Sequence, residues 1–205
     1  MGSDADRTVK TSRNDILRKA VHISFGTIIA ISYWNTLVPL WSYLALLVAG
    51  LTLSLFIKTG GHVPIIELIL HETDKDDYLP AHGVVFFYLG FISVAVLASL
   101  LELDKVFVVV PVLITAYADP ATYLVGRFLG RIWLPFKSDK NLEGVLGGMV
   151  IAILTAVSFI PLQAALPVGV ISMITEIPNV RIGDIEIDDN LIVTITAFIV
   201  MYIVL

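Results

Sequence analysis

The chain has 205 residues, of which 57% are hydrophobic and only 15% charged, with a formal net charge of −5. Its mean hydropathy is +0.89, whereas a soluble domain carries about 45–50% apolar and about 25% charged residues, so an ordinary soluble domain is excluded. The absence of cysteine excludes a disulfide framework and a cysteine-based zinc centre.

A bilayer core about 30 Å thick is crossed by roughly 20 apolar residues in a helix. Residues 20–57 contain no Asp, Glu, Lys or Arg, enough for two spans broken between Asn35 and Pro39. Residues 84–101 form one clean span, and the apolar run 106–118 ends at Asp119. Residues 144–175 are again uncharged and divide around Pro161 and Gln163, and 190–205 stay hydrophobic to the last residue. The pattern predicts seven helices, at residues 20–35, 38–57, 84–101, 106–125, 144–160, 163–178 and 189–205, in an all-α polytopic transmembrane bundle. No segment shows the sustained alternation of a membrane β-barrel. The first span is followed at once by a second and shows no small-residue cleavage pattern, so it does not read as a signal peptide.

Lys and Arg favour cytoplasmic loops. With seven spans, Arg7, Lys10, Arg13, Arg18, Lys19, Lys58, Lys75, Arg127, Arg131, Lys137, Lys140 and Arg181 fall on one side and only Lys105 on the other. This asymmetry predicts a cytoplasmic N-terminus and a chemically dense cytoplasmic face.

The densest stretch begins at Asp119, where an acid closes an apolar run and needs a cation, a base partner or a proton. Gly126 and Gly130 follow four residues apart, as do Arg127 and Arg131, so each pair shares a helix face. The glycines allow close backbone approach, and the arginines offer two forks to phosphate oxygens. Helix packing and positive-inside anchoring explain the same residues without a ligand. Next comes a short basic loop, Pro135 to Gly144, in which Lys137, Ser138, Lys140 and Asn141 precede Glu143. Glu143 suits the start of a helix. Together with Asp119 it also suits magnesium, which takes hard oxygens and bridges substrate phosphates.

Before the first span stand Arg18 and Lys19, with His22 one turn further in. Glu67 sits in an apolar stretch that reads as an interfacial helix or as part of a site wall. Glu176 ends the sixth span, and Asp188, Asp189 and Asn190 open the seventh, where Asp189 or Asn190 also reads as a helix cap. Residues 180–188 alternate apolar and polar, the pattern of a short hairpin arm over the site. His71, Glu72, Asp74, Asp76 and Asp77 read as a solvated acidic loop, and His62, His71 and His82 are too scattered to argue for metal.

In order and spacing, these residues resemble the CTP-dependent polyprenol and phytol kinase family, which includes dolichol kinase and the yeast-type diacylglycerol kinase. The resemblance covers residues 18–195. Its marks are Arg18, Lys19, His22 and Gly26, then Glu67, then Asp119, Ala121, Gly126, Arg127 and Gly130, then Lys140 through Gly144, and finally Glu176, Asp189 and Asn190. Pro120 stands where the family usually has a small hydroxyl residue, and Asn141 where it usually has Ser or Thr.

The resemblance implies a single catalytic membrane domain over residues 18–205, preceded by a cytoplasmic segment 1–17, with cytoplasmic loops at 58–83, 126–143 and 179–189. It implies transfer of the γ-phosphoryl group of CTP to a polyprenol, dolichol or phytol-like alcohol. Asp119, Glu143, Asp189 and Glu176 would serve magnesium, with Asp119, Glu143, His22 and Lys19 as catalytic groups. Arg18, Arg127, Arg131, Lys137, Lys140, Gly126, Gly130, Asn141 and Asn190 would hold the nucleotide, and Glu67, Ser138 and Asp188 would line the site. A membrane cytidylyltransferase acting on a lipid phosphate is the nearest rival, and a small transporter is a rival of another class. The sequence carries no nucleic-acid module and leaves the oligomeric state open.

Overall fold

A computed structural model of the chain describes residues 13–61, 63, 82–134, 140–178, 180–183 and 185–205. Glu67, Lys137, Ser138 and the acidic residues 72–77 lie outside the described residues.

Among the described residues there are seven helices: α1 (Arg13–Trp34), α2 (Leu40–Lys58), α3 (His82–Leu100), α4 (Val106–Leu129), α5 (Leu142–Val157), α6 (Leu162–Ile174) and α7 (Asp189–Val204). An antiparallel hairpin, β1 (Val180–Ile182) with β2 (Ile185–Ile187), joins α6 to α7, and Gly183 takes a left-handed φ of 62° at its turn. The alternation of residues 180–188 is thus a real hairpin.

Three helices, α2, α3 and α4, are long and apolar enough to cross a membrane. Helices α5, α6 and α7 are apolar but shorter, at 16, 13 and 16 residues. The protein is therefore an all-α, multi-pass membrane bundle. Its outer surface agrees with this: Ile28, Trp41, Leu46, Val48 and Ile203 are each at least 60% exposed, an extent of bare apolar surface that water would not tolerate.

Helix α4 is the centre, packed against α1, α3, α5 and α7, while α6 closes on α5 and α7 and α2 lies on α3. One core layer gathers Phe87, Phe91, Val94, Val108 and Val112 with Ile29 and Tyr43. The other gathers Val110, Ile114, Ala152, Val168, Ala197 and Met201. Helix α4 runs through Pro111 and Pro120 to Leu129, four residues past the predicted end. Proline forfeits one helical hydrogen bond, and here both prolines are buried among neighbouring helices that hold the segment in place.

Antiparallel succession puts the starts of α1, α3, α5 and α7 and the ends of α2, α4 and α6 at one end of the bundle. At the other end Lys105 Nζ donates to the Trp34 carbonyl at 2.8 Å, and the rings of Trp34 and Phe159 meet 6.0 Å apart.

Candidate active site at one end of the bundle

Two helix contacts bring α1 and α5 onto α4. Gly26 of α1 lies against Ala116 so closely that a Cβ on Gly26 would overlap the Ala116 methyl. That approach carries Lys19 to Asp119, with Nζ 2.7 Å from Oδ2 and over the Tyr123 ring at 5.4 Å. His22, one turn further in, has Nε2 3.3 Å from the Thr115 carbonyl and packs edge-on against Phe87.

The second contact turns on Asn141. Its Oδ1 accepts from the Gly144 amide at 2.8 Å, capping α5, while its Nδ2 donates to the Gly126 carbonyl at 2.8 Å. Asn141 is buried, and Gly126, Gly130 and Gly144 each lie where a Cβ would strike its side chain or the facing backbone. The glycine pair therefore makes room for a neighbouring side chain, as helix packing requires.

Lys140, just before this cap, reaches the carboxylates of Glu176 and Asp189, the latter at 2.7 Å. Glu176 follows α6, whose helix ends at Ile174, four residues short of the predicted boundary. Its carboxylate is 1% exposed and also accepts from Thr122 Oγ1 at 3.2 Å. Gly148 admits that threonine, since a Cβ there would overlap its hydroxyl. Burial draws the Lys140 ammonium down, but Glu176 and Asp189 outweigh it and hold its pKa above the ordinary lysine value. Burial pushes the Glu176 carboxyl up to about 7, with Lys140 opposing and Asp189 adding to the rise. A carboxylate in low dielectric resists ionisation unless paired.

Asp119, Glu176, Asp189 and Asn190 line one small cleft with Thr115, Met173 and Val193. Asn190 is 7% exposed; its Nδ2 points to the Gly83 carbonyl at 3.4 Å, while its Oδ1 is buried without a hydrogen-bond partner among the described residues. Thr194 donates to the Asn190 carbonyl at 2.7 Å and pairs with Thr115 at 2.8 Å. Asp188, rather than Asp189 or Asn190, caps α7, accepting from the Asn190 amide at 2.9 Å, and lies 3.6 Å from His82.

The structure thus brings together Lys19, Asp119, Lys140, Glu176, Asp189 and Asn190, with His22 behind Thr115. Glu143 is placed apart: its Oε2 accepts the Arg131 and Ile132 amides at 3.1 and 3.2 Å, tying the loop to α5. Arg18 and Arg131 are exposed, and Arg127 is half-buried on the last turn of α4. Thr115, Thr122 and Thr194 were missed from the sequence. Hydroxyls in apolar helices ordinarily satisfy themselves on the preceding turn, and only the fold shows Thr122 turned to Glu176.

No group of three or more metal-ligating side chains stands ready for an ion among the described residues, and lysines pair with the carboxylates of Asp119, Glu176 and Asp189. The donor chemistry nevertheless suits a hard cation, since three carboxylates and an orphaned amide oxygen face one cleft.

The family profile described as the cytidylyltransferase family matches residues 9–204. No curated protein and no solved structure matches the chain. With nearly its whole length matched, the chain belongs to the cytidylyltransferase family. It is a CTP-dependent, membrane-embedded enzyme of lipid metabolism.

Proposed function

We propose that this member of the cytidylyltransferase family transfers the cytidylyl group of CTP to a membrane lipid phosphate, in the cleft between α4, α6 and α7. The family match over residues 9–204 carries this reading. A lipid-phosphate oxygen attacks the α-phosphorus of CTP, the bond to the β-phosphate breaks, and pyrophosphate leaves. The protein's part in such a transfer is positioning and charge neutralisation. Asp119, Glu176 and Asp189 would hold magnesium, which neutralises phosphate charge when bound. Lys19 and Lys140 stand at the same carboxylates and hold phosphate oxygens once CTP enters. Arg18, Arg127 and Arg131 extend the cationic rim, and Asp188 belongs to its wall. Glu143 braces the loop that carries Lys140. Seven spans with a cytoplasmic N-terminus put this rim in contact with cytosolic nucleotide.

A second reading is γ-phosphoryl transfer to a polyprenol, dolichol or phytol-like alcohol. Two observations favour it. Glu176, Asp189 and Asn190, the closing marks of the kinase resemblance, meet at Lys140 and the cleft. The bare Asn190 Oδ1 also calls for a donor, which an alcohol has and a phosphate dianion lacks. Here the hydroxyl oxygen attacks the γ-phosphorus, CDP leaves, and the hydroxyl proton passes to a cleft carboxylate.

Purified protein with magnesium, a lipid extract and CTP labelled separately at the α- and γ-phosphates separates the two. Cytidylyl transfer puts the α-label on lipid and releases labelled pyrophosphate, whereas the kinase puts only the γ-label on lipid. Asp119→Asn should lower either rate by at least about a hundredfold without unfolding the protein. Absence of both labels from every lipid would overturn both readings.

A further inference from the structure

Lys140 sits where an incoming cation would need to go. It pairs with both Glu176 and Asp189, which come from different elements, one after α6 and one in the first turn of α7. Its side chain is 10% exposed, so it is held against two of the cleft's carboxylates rather than extended into solvent. Its backbone lies at the closing end of a loop, where the Lys140 carbonyl accepts from the Leu134 amide at 3.0 Å, and the next residue is the doubly anchored Asn141. The root of this lysine is therefore fixed while its four-carbon stem can swing. Lys19 repeats the arrangement on Asp119. Three carboxylates are thus met by two ammonium groups, and Asn190 Oδ1 is a buried acceptor without a hydrogen-bond partner among the described residues.

A divalent cation cannot take the carboxylate oxygens while an ammonium holds them, because two cations at contact distance in a low-dielectric cleft repel strongly. A triphosphate offers the ammonium an equivalent partner. We propose that Lys140 is a placeholder cation: it closes the carboxylates of Glu176 and Asp189 to divalent metal until nucleotide phosphates draw it off. Metal then enters with the nucleotide and not before it, and the empty enzyme keeps its buried acids neutralised. This inference rests on the metal-and-CTP use of the cleft shared by both readings above, whichever phosphorus is attacked.

The test is Mn2+ binding to the full chain in detergent without nucleotide, followed by the electron paramagnetic resonance of free Mn2+. Binding is read at pH 8 for every variant. Wild-type protein should bind Mn2+ weakly, and Lys140→Met about tenfold or more tightly. Lys140→Arg, which keeps the charge, should stay weak. Adding Glu176→Gln and Asp189→Asn to Lys140→Met should remove the gain, assigning it to these oxygens. Should Lys140→Met fail to fold, Lys140→Gln, which keeps a donor but no charge, carries the same expectation. A folded uncharged variant that binds Mn2+ no better than wild type, or a gain that survives loss of both acids, would overturn the proposal. The outcomes separate from those of the labelling assay. A gain without lipid labelling leaves the placeholder standing and removes the transfer reactions, whereas labelling without a gain does the reverse.

Discussion

Asn141 shows how one side chain can decide a junction. Its amide has one end on the Gly144 amide and the other on the Gly126 carbonyl, so it fastens the start of α5 to the end of α4 next to Lys140. Losing a helix cap costs about 1 kcal/mol, and losing one hydrogen bond to the Gly126 carbonyl, which still accepts from the Gly130 amide at 2.9 Å, costs about 0.5–1.5 kcal/mol. Asn141→Ala should therefore lower stability by about 1.5–2.5 kcal/mol, read as a lower melting temperature in detergent. Asn141→Ser keeps the cap and loses only the Gly126 contact, so its melting temperature should fall between the two. Equal loss in both variants would remove the Gly126 contact from the account. From the sequence, a small polar residue between Lys140 and Leu142 suits a phosphate contact as well as a cap. The deciding partner lies 15 residues away, beyond the reach of local spacing. The same limit applies to Glu143. Its place at a helix start was legible, while the Arg131 and Ile132 amides that claim its carboxylate were not.

At the scale of elements, the helices were legible because each is an apolar run closed by charge or proline. The boundaries that moved most lie at the site end, where α1 already begins at Arg13 rather than at residue 20. Helix α4 continues past residue 125 because its last turn is gripped by Asn141, and α6 stops at Ile174 so that the chain can turn Glu176 inward. Long-range fit set both ends, where hydropathy carries no signal. The contact of α1 with α4 was half legible: Gly26 stood out, but Ala116, against which it packs, lies far along the chain. Because Lys19 and Asp119 meet only through this approach, Gly26→Leu should push the helices apart. Overpacking of this kind costs about 1–3 kcal/mol, and CTP-dependent lipid labelling should fall at least about tenfold. Gly50 of α2 faces open space, so Gly50→Leu is the matched control and should keep wild-type rates. Equal losses in the two variants would mean that helix propensity, and not the α1–α4 spacing, controls the site.

Across the whole molecule, the two ends of the bundle differ in kind. One end holds Lys19, Asp119, Lys140, Glu176 and Asp189, and the other is closed by the Lys105–Trp34 contact and the Trp34–Phe159 ring pair. The crowding of Lys and Arg into alternate loops already implied this separation, since it depends only on counting spans. Which acids meet which lysines depends on helix rotation, which the nearly uniform apolar surfaces of α2, α3 and α6 do not encode. The short helices α5, α6 and α7, at 16, 13 and 16 residues, fall below the roughly 20 needed to span unaided, so in a seven-span arrangement α5 and α7 would lean on α4, and α6 on α5 and α7. The natural absence of cysteine makes the sidedness directly measurable. Single cysteines replacing Glu102 and Ser158 lie in exposed turns at the far end, and one replacing Arg181 lies in the exposed hairpin at the site end. With a cytoplasmic site, a membrane-impermeant maleimide should label Glu102→Cys and Ser158→Cys in intact cells and Arg181→Cys only after lysis. Labelling in the opposite sense would put the site outside, away from cytosolic CTP. Labelling of Glu102→Cys and Ser158→Cys from different sides would mean that α5 does not cross the membrane alongside α4.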